Sequence, residues 1–300
     1  MQKLLPQPSF GLVIFTVILG FCNAQKPQSG PAGSASVAGD SLPYDLQNPS
    51  LTINLVSESL KEISGLGPSD TPGYYIAIAD ERGEVFFIDG ERGGAISRRI
   101  LFREKGDFEG VEMVGKTIWA LKSDGDLFEI TDWKKGAPVV AEYKTQLKKS
   151  DDLEGLAYDP WRKCLLLACK QNPDSTGKRQ VWAFNLKSKT LESNPVYSVD
   201  PEEVNRLVAY GESEKHDFFS PSAIALHPKT QDVYLISTAL KRLVVLDYKS
   251  GAIKHVQTLN KKLLPQPEGL AFDADGNLII GSEGKKGEGL LLKFEYKRNK

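Results

Sequence analysis

From residue 51 onward the apolar positions come in short runs, many alternating with polar ones, and Gly, Pro, Asp or Asn punctuate the gaps. That is the period of a half-buried β-strand, not of a helix. The runs predict strands at 62–67, 74–79, 84–88 and 95–102, then at 108–114, 117–121, 126–131 and 138–143. They continue at 153–158, 163–169, 180–186 and 194–199, and again at 222–226, 232–236, 242–248 and 253–259. The last unit has only 268–272, 277–281 and 290–296. An alternating run at 51–56 has no unit of its own and would supply the missing fourth strand.

The first strand of each unit carries a repeated motif. It reads Asp107-Phe108-Glu109-Gly110-Val111, then Asp152-Leu153-Glu154-Gly155-Leu156-Ala157-Tyr158-Asp159, then Pro267-Glu268-Gly269-Leu270-Ala271-Phe272-Asp273. Weaker copies are Glu62-Ile63-Ser64-Gly65-Leu66 and Ser220-Pro221-Ser222-Ala223-Ile224. Aligning Ser64, Glu109, Glu154, Ser222 and Glu268 gives spacings of 45, 45, 68 and 46 residues. Periods in the forties with strand content are those of propeller blades. The fold expected is therefore an all-β propeller of five four-stranded blades, closed by the N-terminal strand so that no blade edge is left open. Six blades is the alternative, if the long 68-residue interval hides an irregular blade. Within that interval Asp200-Pro201-Glu202-Glu203 reads as an N-cap, a proline at the first helical position and acids in the first turn, predicting a short helix to about residue 210.

What precedes the repeats looks different. Residues 1–24 have a lysine near the start, an apolar stretch over 10–21 and the small-x-small sequence Cys22-Asn23-Ala24, the pattern of an export signal. Cleavage after Ala24 would deliver a periplasmic or secreted protein; a lipid-anchored protein through Cys22 is the alternative reading. Residues 25–48 are rich in Gly, Ser, Pro and Ala and read as a flexible linker, which leaves 49–300 for the propeller.

Composition narrows the function classes. A formal net charge of −1 gives no footprint for nucleic acid or an anionic membrane surface. Outside the signal the only cysteines are Cys164 and Cys169. Their odd spacing in one strand points them to opposite faces, so they read as buried apolar residues with no bridge between them. His216, His227 and His255 lack metal-ligand spacing, and no nucleophile-elbow, zincin, phosphate-loop or dinucleotide motif stands in a suitable context. Tyr74, Tyr75, Trp119, Trp161 and Trp182 lie in or beside strands and read as packing between blades.

In a propeller the first strand of each blade lines the central channel, so equivalent positions make rings about the axis. Ser64, Glu109, Glu154, Ser222 and Glu268 form one ring. Glu62, Asp107, Asp152, Ser220 and Gln266 stand two residues earlier, and the ends of the second strands offer Asp80, Lys122, Lys170, Thr238 and Glu283. All three sets should meet at one mouth. Three glutamates around an axis repel one another unless a cation, the lysines Lys122 and Lys170, or protons compensate. Hard oxygen ligands suit calcium, so Glu109, Glu154 and Glu268 are the candidate metal ligands. Ser64, Asp80, Lys122, Lys170, Ser222 and Glu283 are the candidate ligand-binding residues around them. The blander reading is that Glu-Gly makes a tight turn into the strand and the carboxylates cap backbone amides.

The order of these motifs over 51–296 resembles the SdiA-regulated (YjiK-like) family. The resemblance implies a bacterial envelope β-propeller, more distantly similar to calcium-dependent lactonase and phytase-like propellers. In those lactonases a glutamate at the start of an inner strand ligates calcium, a role that Glu109, Glu154 or Glu268 would match. This chain departs from them where Ser64 and Ser222 interrupt the ring, and it lacks an asparagine-rich ligand set. The expectation is a monomeric exported propeller that binds a small ligand or an envelope protein at an acidic, calcium-holding mouth. The alternative is a calcium-dependent hydrolase of a phosphoester or lactone, in which a ring carboxylate would act as general base.

Overall fold

The computed structural model describes residues 35–36, 42–171, 177–208, 218–284 and 288–297. Two short strands come first, β1 (Ala35–Ser36) and β2 (Leu51–Leu55). The first blade is β3 (Ile63–Pro68), β4 (Tyr74–Ala79), β5 (Arg82–Asp89) and β6 (Ile96–Arg103), and the second is β7 (Phe108–Val114), β8 (Thr117–Lys122), β9 (Leu127–Thr131) and β10 (Val139–Tyr143). The third is β11 (Leu153–Asp159), β12 (Cys164–Cys169) and β13 (Arg179–Asn185), with β14 (Thr190–Leu191) and β15 (Tyr197–Val199) both paired to β13. The helix α1 (Pro201–Leu207) leads toward the fourth blade, β16 (Ala223–Leu226), β17 (Val233–Ser237), β18 (Arg242–Leu246) and β19 (Ile253–Thr258). The fifth has β20 (Gln266–Phe272), β21 (Leu278–Glu283) and β22 (Gly289–Phe294).

The expected five blades are present, and β2 closes the ring. It pairs antiparallel with β22, Leu51 opposite Lys293 and Leu55 opposite Gly289, as the outer strand of the fifth blade. Every strand pairing within the blades is antiparallel, which short hairpin turns allow. The inner strands β3, β7, β11, β16 and β20 touch one another in cyclic order.

Alternation explains the core. Each blade buries residues on both faces, so the buried apolar side chains sort into five clusters, one per junction between neighbouring blades. Ile53 and Leu55 of β2 pack with Ile63, Tyr75 and Phe86 of the first blade, so the closing strand also joins the last blade to the first. Cys164 and Cys169 lie in different clusters, on opposite faces of β12 as their spacing requires, and both are free thiols.

Three details differ from the expectation. The outer edge of the third blade is in two pieces because Pro195, which has no N–H to donate, falls between them. The helix is a turn shorter: the Asp200 carboxylate accepts from the Glu202 N–H at 2.9 Å as foreseen, but the helix ends at Leu207. The third difference lies in the predicted linker, whose described final part is seated on the fourth and fifth blades. Tyr44 and Leu46 are buried there, and the Tyr44 hydroxyl donates to the Gly276 carbonyl at 2.7 Å. The predicted export signal lies outside the described residues. Among the described residues no helix is long and apolar enough to cross a membrane.

Candidate functional site

The glutamates of the motif owe their position to a repeated irregularity. Pairing between first and second strands shifts register between Ile63 and Gly65, Phe108 and Gly110, Leu153 and Gly155, and Pro267 and Gly269. The residue skipped each time, Ser64, Glu109, Glu154 or Glu268, is the extra one of a β-bulge. A bulge re-aims its side chain out of the normal alternation. The glycine that follows answers to a different demand from the turn suggested by the sequence. A Cβ on Gly110 would stand 2.7 Å from Leu156 Cβ of the next blade, and one on Gly269 would stand 2.6 Å from Leu66 Cβ. Glycine is there so that neighbouring inner strands can close on the axis.

The two serines that interrupt the ring tie blades together. Ser64 Oγ donates to the Phe108 carbonyl and Ser222 Oγ to the Pro267 carbonyl, each at 2.7 Å. Both acceptors belong to the residue just before a ring glutamate, so each serine fixes the backbone that presents the next blade's carboxylate. Thr238 Oγ1 adds a second bond to the Pro267 carbonyl at 2.6 Å.

Glu154 is buried and Glu109 and Glu268 are partly buried, each with other carboxylates close by. Burial pushes Glu109 up to about 9, with the charges of Glu154 and Asp107 adding to it. Glu154 rises to about 7; burial drives it up, and Lys170, whose Nζ lies 2.8 Å from Glu154 Oε1, holds it back. Glu268 is raised by burial and then by the neighbouring Glu283 carboxylate, and burial raises Glu283 as well. Asp80 stands on the same rim, beside a cavity of about 280 Å³ lined also by Glu62 and Arg82. Its Oδ1 is buried without a hydrogen-bond partner among the described residues.

Lys122 is the sequence-predicted residue that does not join this group. Its Nζ pairs with Asp124 at 2.6 Å and lies 3.9 Å from Asp126, within its own hairpin. The rim position in the second blade belongs to Ser123. The Leu153 N–H donates to the Ser123 carbonyl at 2.9 Å, just as the Phe108 N–H donates to the Asp80 carbonyl at 2.9 Å. The Ser123 hydroxyl donates to the Asp107 carboxylate. The hairpin of the second unit is shorter, and a slip of one residue sends a strand side chain to the other face. Counting the hairpin from the bulge was the signal that could have found Ser123.

The mouth therefore gathers Glu109, Glu154, Glu268, Glu283, Asp80 and Lys170, with Ser64 and Ser222 committed to the wall. Among the described residues no three acidic, histidine or cysteine side chains stand as a ready-made metal cage. Within this group Lys170 is the one cation, and it pairs with Glu154.

Five antiparallel blades around an acidic, bulge-built mouth define a five-bladed β-propeller. The chain belongs to the SdiA-regulated family, whose sequence profile matches residues 45–286. No curated protein matches it in sequence. Among solved structures, Myxococcus xanthus glutaminyl cyclase is similar over 83% of this chain and 95% of its own, with a TM-score of 0.58 and 12% identity. Kuenenia stuttgartiensis hydrazine synthase is similar over 79% of this chain and 97% of the matched one, with a TM-score of 0.48 and 12% identity. A chain of the nidogen/laminin complex is similar over 73% of this chain and 72% of its own, with a TM-score of 0.47 and 14% identity. The likeness to the cyclase shows the fold alone.

Proposed function

We propose that this protein is an exported ligand-binding propeller whose acidic mouth takes up a divalent cation, calcium by its oxygen chemistry, with Glu109, Glu154 and Glu268 as ligands. The observation that carries this reading is the surplus of negative charge at one end of the channel. Burial and neighbouring carboxylates push Glu109, Glu154 and Glu268 upward, while Lys170 pairs with Glu154 alone. The partnerless Asp80 Oδ1 on the same rim supports it, because a buried acceptor without a donor is costly unless something binds it. The cation would displace the protons of Glu109 and of the Glu268–Glu283 pair. The export part rests on the residue pattern of 1–24.

Binding to the native state alone raises stability by RT ln(1 + [L]/Kd), about 3 kcal/mol at a hundredfold excess over Kd. Calcium should accordingly raise the melting temperature, chelator should reverse the rise, and Glu154→Gln or Glu268→Gln should blunt it. A melting temperature indifferent to calcium would sink the reading. The same preparation, assayed against phosphoester and lactone panels with and without calcium, separates a binding protein from a hydrolase. No turnover is expected, because the two ring hydroxyls donate to backbone carbonyls and are tied into the wall. Turnover that chelator abolishes would instead make the mouth a metal-assisted catalytic site.

A further inference from the structure

The inner strands start at the acidic mouth and end at the other mouth of the channel, where the chemistry reverses. A cavity of about 170 Å³ is lined there by residues from the ends of all five inner strands, among them Pro68, Met113, Tyr158, Leu226 and Leu270. It is apolar, with Trp161 on its wall 40% exposed, although the sequence reads this tryptophan as packing between blades. A cavity of about 150 Å³ lined by apolar side chains is large enough to hold benzene.

One charged group faces this apolar space. Glu112 lines the cavity and is only 7% exposed. In the other blades the equivalent position, three residues after the ring, holds Gly67, Ala157, Ala225 and Ala271, so the carboxylate is peculiar to the second blade. Its Oε1 accepts from the Met113 N–H at 2.8 Å and its Oε2 from the Tyr158 N–H at 3.0 Å. These two bonds hold the group in place, yet each oxygen keeps a second lone pair. Burial pushes it up to about 7, and the only opposing influences are those two backbone N–H groups, with no lysine or arginine among them. A carboxylate fixed by its backbone contacts, without a counter-ion among the described residues, in the wall of an apolar socket is the complement of an amine carried on an apolar body.

We propose that this second mouth is a binding site for a small primary amine with an aromatic or branched aliphatic body, distinct from the acidic mouth. The ammonium group donates to Glu112, and the apolar body fills the socket against Met113, Leu270 and Trp161. A larger ligand has room to continue outward. A neighbouring cavity of about 450 Å³ shares Pro68, Pro228 and Phe272 with the socket and carries Asp70, Glu91 and Asp275 on its wall.

Benzylamine is the probe, titrated into the full chain by calorimetry and by NMR of the Trp161 indole, assigned by its loss in Trp161→Phe. Saturable binding that moves the Trp161 signal is expected, with benzyl alcohol at least tenfold weaker. Glu112→Gln keeps an acceptor for the backbone and should lose benzylamine binding at least tenfold. If that variant does not fold, Leu270→Trp, which fills the socket, should remove binding of amine and alcohol alike. The proposal is overturned if benzylamine does not bind, if it binds without moving Trp161, if the alcohol binds as well as the amine, or if calcium displaces the amine and so places it at the acidic mouth.

Discussion

Glu109 and Glu154 occupy equivalent bulges, yet only Glu154 has a lysine against it, and that difference sets how the mouth responds to pH. A carboxylate raised in the native state to about 9 from an ordinary value near 4.5 is protonated when folded and ionised when unfolded throughout that interval. The native state then binds more protons, so stability is full below about pH 4.5 and falls as pH rises toward 9, by about 1.4 kcal/mol per pH unit for each such group. The cation-free domain should therefore lose stability from pH 5 to pH 9, and Glu109→Gln should flatten the slope. Thermal melts across this range check it; a stability that rises with pH would contradict it. Lys170→Met removes the countercharge of Glu154 and should lower the melting temperature at pH 8 much more than at pH 5. Lys122→Met, whose lysine pairs within its own hairpin, should not alter the pH dependence. The two lysines show what sequence could and could not tell at this scale. Residue type and approximate place were readable for both, but which one faces the axis depends on a single residue of hairpin length.

At the scale of elements, the inner strands are held by bulge, glycine and serine together. The repeat motif was legible because bulge and close approach recur in four of the blades, where they left Glu-Gly or Ser-Gly at the same place, while the fourth blade has Ser222-Ala223. Their reasons were not legible, since a glycine that admits a neighbouring strand looks in sequence like a glycine that turns. Gly110→Ala separates the two. A methyl group 2.7 Å from Leu156 Cβ must push two inner strands apart, and overpacking of this kind costs roughly 1–3 kcal/mol. Were Gly110→Ala neutral in denaturant melts, close approach would not be the reason for the motif. The seating of Tyr44 and Leu46 was hidden for another reason. Two apolar residues in a Gly/Ser/Pro-rich stretch show no periodicity, and only the finished blades provide the surface they cover.

The whole molecule is a closed ring, and closure depends on β2. A chain beginning at residue 42 retains β2, Tyr44 and Leu46 and should melt within a few degrees of the full chain. A chain beginning at residue 57 loses β2, exposes the edge of β22 and opens the cluster that joins the fifth blade to the first. It should aggregate or fail to fold. Size-exclusion chromatography and melting of the two chains compare them directly, and an equally stable monomer from residue 57 would refute closure by β2. Ring closure was readable from the unpaired run at 51–56 because a propeller leaves no strand unmatched.

The same closure brings carboxylates from separate blades to one mouth, and whether that mouth takes up a cation is the central question. Calorimetric titration of calcium at pH 7, run in two buffers of different ionisation enthalpy, addresses it most directly. The account predicts one saturable site whose filling releases protons, and predicts that affinity drops in Glu154→Gln and Glu268→Gln. Absence of saturable binding, or binding without proton release that both variants leave untouched, would contradict it.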